Sequence, residues 1–148
     1  MMNATVWPQP ADPDAAVRLI ERFAEKGEQE ADLAGSPAGR AMLQALGGGS
    51  PFLSDLSLRE HRTVLEVMQA GPDQAVAEVH SELEALAPSA HRSQLAAALR
   101  QAKRRAALIT AMADISGIWQ LGRVTSVLSW LAETTLRRAV DQDRKSVV

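Results

Sequence analysis

Three consecutive glycines followed by a serine, Gly47-Gly48-Gly49-Ser50, have the composition of a loop that wraps a phosphate. Backbone N–H groups at a helix N-terminus bind anions without side-chain help. A Walker loop also needs a Lys followed by Ser or Thr, whereas Pro51 and Phe52 follow here. Metal-dependent nucleotidyl transfer uses a Gly-Ser turn too, with a later Asp-x-Asp pair to hold magnesium. Asp55-Leu56-Ser57 does not supply that pair, no Asp-x-Asp stands at suitable spacing after it, and Asp12-Pro13-Asp14 precedes the glycines. The stretch reads as a flexible helix break, with Ser50 capping the next helix.

His61, His80 and His91 form no His-x-x-x-His pair. His80 and Glu84 share a helix face, but two ligands without a third make a surface pair and not a zinc site. Lys103-Arg104-Arg105, with Arg100 one turn earlier, is the basic cluster. Without interleaved aromatics it suits a solvated face or ion pairs to a neighbouring helix better than RNA. Asp114 lies among Met112, Ala113 and Ile115, a setting that predicts burial and a partner such as Arg104, Arg105 or Arg123. Trp7, Trp119 and Trp130 are scattered and read as packing anchors. These residues supply no catalytic, cofactor-binding or metal site.

The elements that carry them are helices. Of 148 residues 46% are hydrophobic, mostly Ala and Leu, and only 3% are aromatic, a balance that favours helix over strand. Met1 to Ala11, with Pro8 and Pro10, shows no period, and residues 1–12 read as a flexible arm. Asp12-Pro13, Ser36-Pro37 and Ser50-Pro51 are each a cap followed by a first-turn proline. The first starts a helix in which Ala16, Val17, Ile20, Phe23 and Ala24 recur at helical spacing, ending near Gly27. Glu28 to Asp32 reads as a solvated acidic run. The second predicts a helix to Leu46, and the third one with Phe52, Leu53 and Leu56 as its apolar side. Val64, Leu65 and Met68 mark another that stops at Gly71; Val76, Val79, Leu83 and Leu86 mark the next, ended by Pro88. The longest is expected over His91 to Ser116, with Leu95, Leu99, Ala102, Ala106, Ile109 and Ala113 as its seam. The last spans Leu121 to Asp141 and uses Val124, Leu128, Leu131, Leu136 and Val140. An all-α, irregular bundle of about seven helices with no significant sheet is expected.

A net charge of −2 offers no global basic field for nucleic acid or anionic lipid. Absence of Cys excludes disulfides, thiolate catalysis and Cys-ligated zinc, and fits a reducing compartment. The N-terminus has no secretory pattern, and no apolar run reaches transmembrane length. A cytoplasmic location is expected.

Four segments, taken in order, resemble a known family. Ser50-Pro51-Phe52-Leu53 after the glycines is similar to a segment near the start of the bacterial bifunctional glutamine synthetase adenylyltransferase / adenylyl-removing enzyme. Leu99-Arg100-Gln101-Ala102-Lys103-Arg104-Arg105-Ala106-Ala107-Leu108 resembles its basic helix. Ala113-Asp114-Ile115-Ser116-Gly117-Ile118-Trp119 resembles the Ala-Asp-Leu-x-Gly-x-Trp stretch that comes after it. Val124 to Ser129 and Leu131-Ala132-Glu133 resemble the next helix, so that the likeness runs from Ala15 to Val140.

The resemblance implies a nucleotidyltransferase with two catalytic domains. One adds AMP from ATP to a tyrosine of glutamine synthetase; the other, an adenylyl-L-tyrosine phosphorylase, removes it, and PII signalling proteins set the balance in nitrogen regulation. Magnesium and ATP or phosphate are implied for that whole enzyme, at an Asp-x-Asp beyond the helical region seen here. Residues 13–142 then correspond to the helical lead-in of the adenylyl-removing half, truncated before the nucleotidyltransferase sheet, and this chain alone is expected to be inactive. An exposed apolar face on the last two helices is expected where the missing domain docks. Residues 143–148 read as a non-native tail: Asp143-Arg144-Lys145-Ser146-Val147-Val148 is the translation of a common sequencing-adapter oligonucleotide, GATCGGAAGAGCGTCGTG. The alternatives are a free-standing helical interaction module, with every apolar stripe satisfied internally, and a small nucleic-acid binder using Arg100 to Arg105.

Overall fold

The computed structural model describes residues 7–86 and 90–147. Among them every regular element is a helix: α1 Pro13–Ala24, α2 Glu28–Gly35, α3 Pro37–Gly49, α4 Pro51–Arg59, α5 His61–Ala70, α6 Pro72–Glu84, α7 Arg92–Ile115 and α8 Leu121–Val147. The all-α expectation holds, with eight helices in place of seven.

The starts are where capping chemistry puts them. Asp12 Oδ1 accepts from the Ala15 N–H at 3.1 Å, and Ser36 Oγ from Gly39 at 3.0 Å. Ser50 Oγ accepts from Leu53 at 3.4 Å, and a proline follows each cap at the first helical position. His91 caps α7, its ring accepting from the Ser93 N–H while Gln94 Oε1 accepts from the His91 N–H. Gly71 (φ 91°) turns α5 into α6 and Gly117 (φ 78°) turns α7 towards α8, both in a region costly for residues with a Cβ.

One core runs through the molecule. Phe23, Met42, Leu43, Leu46, Val64, Val67 and Met68 from α1, α3 and α5 are fully buried, and Leu108, Ile109 and Met112 from α7 join them. Helix α1 packs chiefly on α3, while α7 touches α4, α5, α6 and α8. The seam expected for α7 is buried, apart from a partly exposed Leu99.

Five expectations are corrected. The glycines do not break a helix: α3 runs through Gly49, and Gly47 and Gly48 are buried. The reason is close packing, since a Cβ on Gly47 would stand 2.9 Å from the Leu19 side chain and one on Gly48 2.8 Å from the Pro10 Cα. The acidic run forms α2 and is exposed at Glu28, Gln29 and Asp32, but it is not solvated throughout: Glu30 turns inward with Leu33 and Ala34 at helical spacing. The arm is docked from Trp7 onward: Trp7 is buried in the core, and the Asp12 N–H donates to the Gly48 carbonyl at 3.0 Å. Residues 1–6 and Pro88 lie outside the described residues. Helix α8 is longer than α7 and continues past Asp141, because Asp143 to Val147 contains neither Gly nor Pro. Finally, the side of α8 that is buried includes Val127 and Thr134, which the expected apolar set leaves out, while Leu128, Leu136 and Val140 of that set are exposed.

Two neighbouring glycines should therefore respond with opposite signs. Gly48→Ala overpacks the α3 contact and should lower stability by about 1–3 kcal/mol. Gly49→Ala meets nothing within 4 Å and should raise it by up to about 1 kcal/mol. Urea denaturation of the two variants measures both.

Candidate functional site

Successive residues of a helix point about 100° apart, so the three cations of Lys103-Arg104-Arg105 have three different environments. Arg105 falls inside the arc formed by Ala102, Ala106, Leu108, Ile109 and Met112 and is 7% exposed. A charge held there needs partners. Its guanidinium donates to Glu82 of α6 and, at 3.4 Å, to Glu66 of α5. Arg104, at the edge of the arc, donates through Nε to Glu60 Oε1 at 2.9 Å, and Glu60, between α4 and α5, is itself 7% exposed. Lys103 and Arg100 face away from the core and are exposed. The basic cluster is thus divided between interhelical ion pairs at Arg104 and Arg105 and a solvated face at Arg100 and Lys103. Its separate roles are legible on a helical wheel, where Arg105 sits between Ala102 and Leu108.

A second interhelical pair joins α2 to α5. Glu30, buried, meets His61 Nδ1 through Oε1 at 2.6 Å. Burial pushes the Glu30 carboxyl up, but the His61 hydrogen bond and the charges of His61 and Arg62 outweigh it and hold the group below its ordinary value of 4.5. Reading Glu28 to Asp32 as a solvated run hides this pair. Its signal is the helical spacing of Glu30 to Leu33 and Ala34.

The remaining candidates are placed apart. Trp119 is buried and donates to Asp73 Oδ1 at 3.2 Å, with Arg123 stacked over its ring at 5.1 Å and donating to the same oxygen at 3.1 Å. His80 lies against the Trp130 ring at 4.9 Å, while Glu84 pairs with Arg137 of α8 at 3.4 Å, so no shared ligand site results. Asp114 is exposed, which corrects the expectation of a buried, paired carboxylate: it projects away from the arc that Met112 and Ala113 occupy. Asp141 and Asp143 are an Asp-x-Asp in sequence, but two residues apart on α8 they diverge by about 200°, and Asp143 faces Arg92 at 3.5 Å. His91 is spent on its cap.

Along the surface of α4 and α7 runs a groove of about 540 Å3, with Phe52 and Leu56 on one wall and Arg100 and Lys103 on the other. Among the described residues no helix is long and apolar enough to cross a membrane, and no group of three or more His, Asp or Glu side chains is placed to hold a metal. The amides of Gly47 and Gly48 belong to the body of α3 and do not form a phosphate cradle. The resemblance implies magnesium and nucleotide for the whole enzyme, at a site beyond this helical region.

Fold and geometry together define an all-α assembly whose buried charges are committed to joining helices. The model of the glutamate-ammonia ligase adenylyltransferase family matches residues 41–148, and the chain belongs to that family. Among its relatives are bifunctional glutamine synthetase adenylyltransferase/adenylyl-removing enzymes. That of Xanthobacter autotrophicus is 33% identical over 117 residues, covering 79% of this chain and 12% of the relative. That of Rhodopseudomonas palustris (strain TIE-1) is 32% identical over 124 residues, covering 82% and 12%. That of Caulobacter vibrioides is 29% identical over 132 residues, covering 88% and 13%. The chain thus spans about an eighth of the length of the relatives it matches. No solved structure matches it.

The ion pairs generate two predictions. Arg104→Ala strands the buried Glu60 carboxylate and should cost about 2–3 kcal/mol. Arg105→Ala releases two carboxylates that already reach solvent and should cost less, about 1–2 kcal/mol, mostly from lost packing of its stem. Denaturation midpoints of the two variants give the order. The Glu30 carboxyl is lowered on folding, so its contribution is complete above its ordinary value of 4.5 and is lost as pH falls through the lowered one. Thermal melts from pH ~7 to pH ~3 should show a shallower acid loss for Glu30→Gln than for the parent.

Proposed function

We propose that this chain is a helical scaffold from the adenylyl-removing half of a bifunctional enzyme that adenylylates and deadenylylates glutamine synthetase. In this reading residues 13–142 are the helical lead-in to the nucleotidyltransferase sheet, and residues 143–148 are a non-native tail. Glutamine synthetase and PII signalling proteins are the partners of the whole enzyme in the cytoplasm, and magnesium with ATP or phosphate acts at sites outside this chain. The chain by itself is inactive.

The observation that carries the reading is the second face of α8. Val124, Val127, Leu131 and Thr134 form one narrow arc turned toward the rest of the fold, with Val127, Leu131 and Thr134 buried. Beside it Leu128, Ala132, Leu136 and Val140 span a further ~120°, and Leu128, Leu136 and Val140 are 45%, 66% and 40% exposed. Leu121, at 78%, extends this face at the start of the helix. A row of that size normally faces a protein surface. Since the relatives are about eight times longer than the matched segment, the occupant that fits is a further part of the same polypeptide. A free-standing module requires its apolar stripes to be satisfied internally, and the exposed row counts against it. A nucleic-acid binder would need Arg104 and Arg105, which Glu60, Glu66 and Glu82 already engage.

Incubated with adenylylated glutamine synthetase and phosphate, the purified chain should release no ADP, and measurable turnover would overturn the reading. In the same preparation a Leu128→Ser/Leu136→Ser variant should lose more than about half of the anilinonaphthalene-sulfonate fluorescence of the parent without a lower melting temperature.

A further inference from the structure

We propose that the groove between α4 and α7 docks an acidic amphipathic helix of another protein. The proposal rests on the groove's own chemistry and not on the reading of α8. Helix α4 presents Phe52, Leu56 and Arg59 along one wall, and α7 presents Arg100, Lys103 and Ala107 along the other. Both sets recur at helical steps of three and four, so each wall is one face of a helix, about 10 Å long at 1.5 Å per residue. Phe52, Leu56 and Ala107 give the groove an apolar lining. Phe52 is 66% exposed, so its ring is open to an incoming apolar side chain.

Charge selects the occupant. Arg104 also borders the groove but is neutralised by Glu60. Arg59, Arg100 and Lys103 are exposed and enter no ion pair among the described residues, and Asp55 is the carboxylate facing them. The chain as a whole carries −2, so this excess of positive charge is local. Cations from both walls around an apolar lining complement a helix whose apolar stripe is flanked by Glu or Asp, the helix-in-groove mode of recognition.

The groove suits compact phosphates and nucleic acid less well. No backbone N–H groups converge on it: the Leu53 and Ser54 amides at the start of α4 are taken by Ser50, and Arg100 to Ala107 is the middle of α7. One aromatic ring does not make the succession of stacking platforms that single-stranded RNA uses.

The test is fluorescence anisotropy on the full chain. The probe is a labelled synthetic helix of about 15 residues, with Leu at steps of three and four flanked by Glu. The Glu probe should bind more tightly than a counterpart with Lys in place of Glu, and should weaken as salt rises. Arg100→Glu/Lys103→Glu should reduce its affinity about tenfold or more, and Phe52→Ser by about tenfold. Leu128→Ser/Leu136→Ser should leave it unchanged, which separates failure of this proposal from failure of the α8 reading. The substituted residues all lie outside the core, so circular dichroism checks the folding of each variant directly. The proposal is overturned if no binding occurs, if the Lys probe binds as well, or if the charge-reversed variant binds the Glu probe undiminished. It is equally overturned if ATP or a short RNA binds this groove more tightly than the peptide, with that binding lost on charge reversal.

Discussion

Helix α7 touches four other helices, and the burial of its arc from Ala102 to Ala113 fixes where α4, α5, α6 and α8 lie. Burying Leu108, Ile109 and Met112 is worth about 1.5–3 kcal/mol each. That is comparable with the whole net stability of a small domain, about 5–15 kcal/mol. Ion pairs across exposed groups contribute about 0–1 kcal/mol and cannot compete as a source of stability. They decide orientation instead. Arg105 lies in the buried arc and can stay charged there only if Glu66 and Glu82 come to it, so α5 and α6 must approach α7 in one register. Glu60 and Arg104 impose the same condition where α4 meets α5.

The other half of the molecule is governed by approach distance. Helix α1 comes close to α3 because Gly47 and Gly48 leave room for Leu19 and for the chain around Pro10. That closeness lets the Gly48 carbonyl accept the Asp12 N–H and seats Trp7 in the core. Three glycines in a helix each cost about 1 kcal/mol relative to alanine, a cost offset here at Gly47 and Gly48 by tight packing and not at Gly49. Glu30 and His61 then tie α2 to α5 and so connect this half to the helices around α7.

These facts separate what local sequence specifies from what it does not. The Asp-Pro and Ser-Pro starts, the stop at Gly71 and the seam of α7 are short-range signals, and the structure places them where the residues indicate. Local chemistry misleads where tertiary packing decides. The Gly47 to Gly49 run has turn composition, yet neighbouring surfaces make small residues the only ones that fit at two of its positions. Glu28 to Asp32 has loop polarity, yet one carboxylate in it faces a histidine 31 residues away. Asp114 sits among apolar residues in sequence but not in space, since nearest neighbours on a helix diverge by about 100°. The interhelical ion pairs depend on register between α4, α5, α6 and α7, which no periodicity within one helix records.

In helix α8 the apolar pattern exceeds the surface available to it. Its apolar residues from Val127 round to Val140 cover far more of its circumference than α7 can meet, and a helix apolar over so broad an arc is stable in water only when several surfaces cover it. The side that is met is fixed by more than apolar contact: Arg138 donates to the Leu83 carbonyl at 2.7 Å, close to the end of α6, and Trp130 lies against His80. These contacts orient α8 and thereby determine that Leu128 and Leu136 point outward. The exposed row is thus a consequence of a specified register and not of loose docking. Its largely apolar row, free of basic residues, also sets it apart from the α4–α7 groove, where cations surround the apolar lining, so the two surfaces suit occupants of different character.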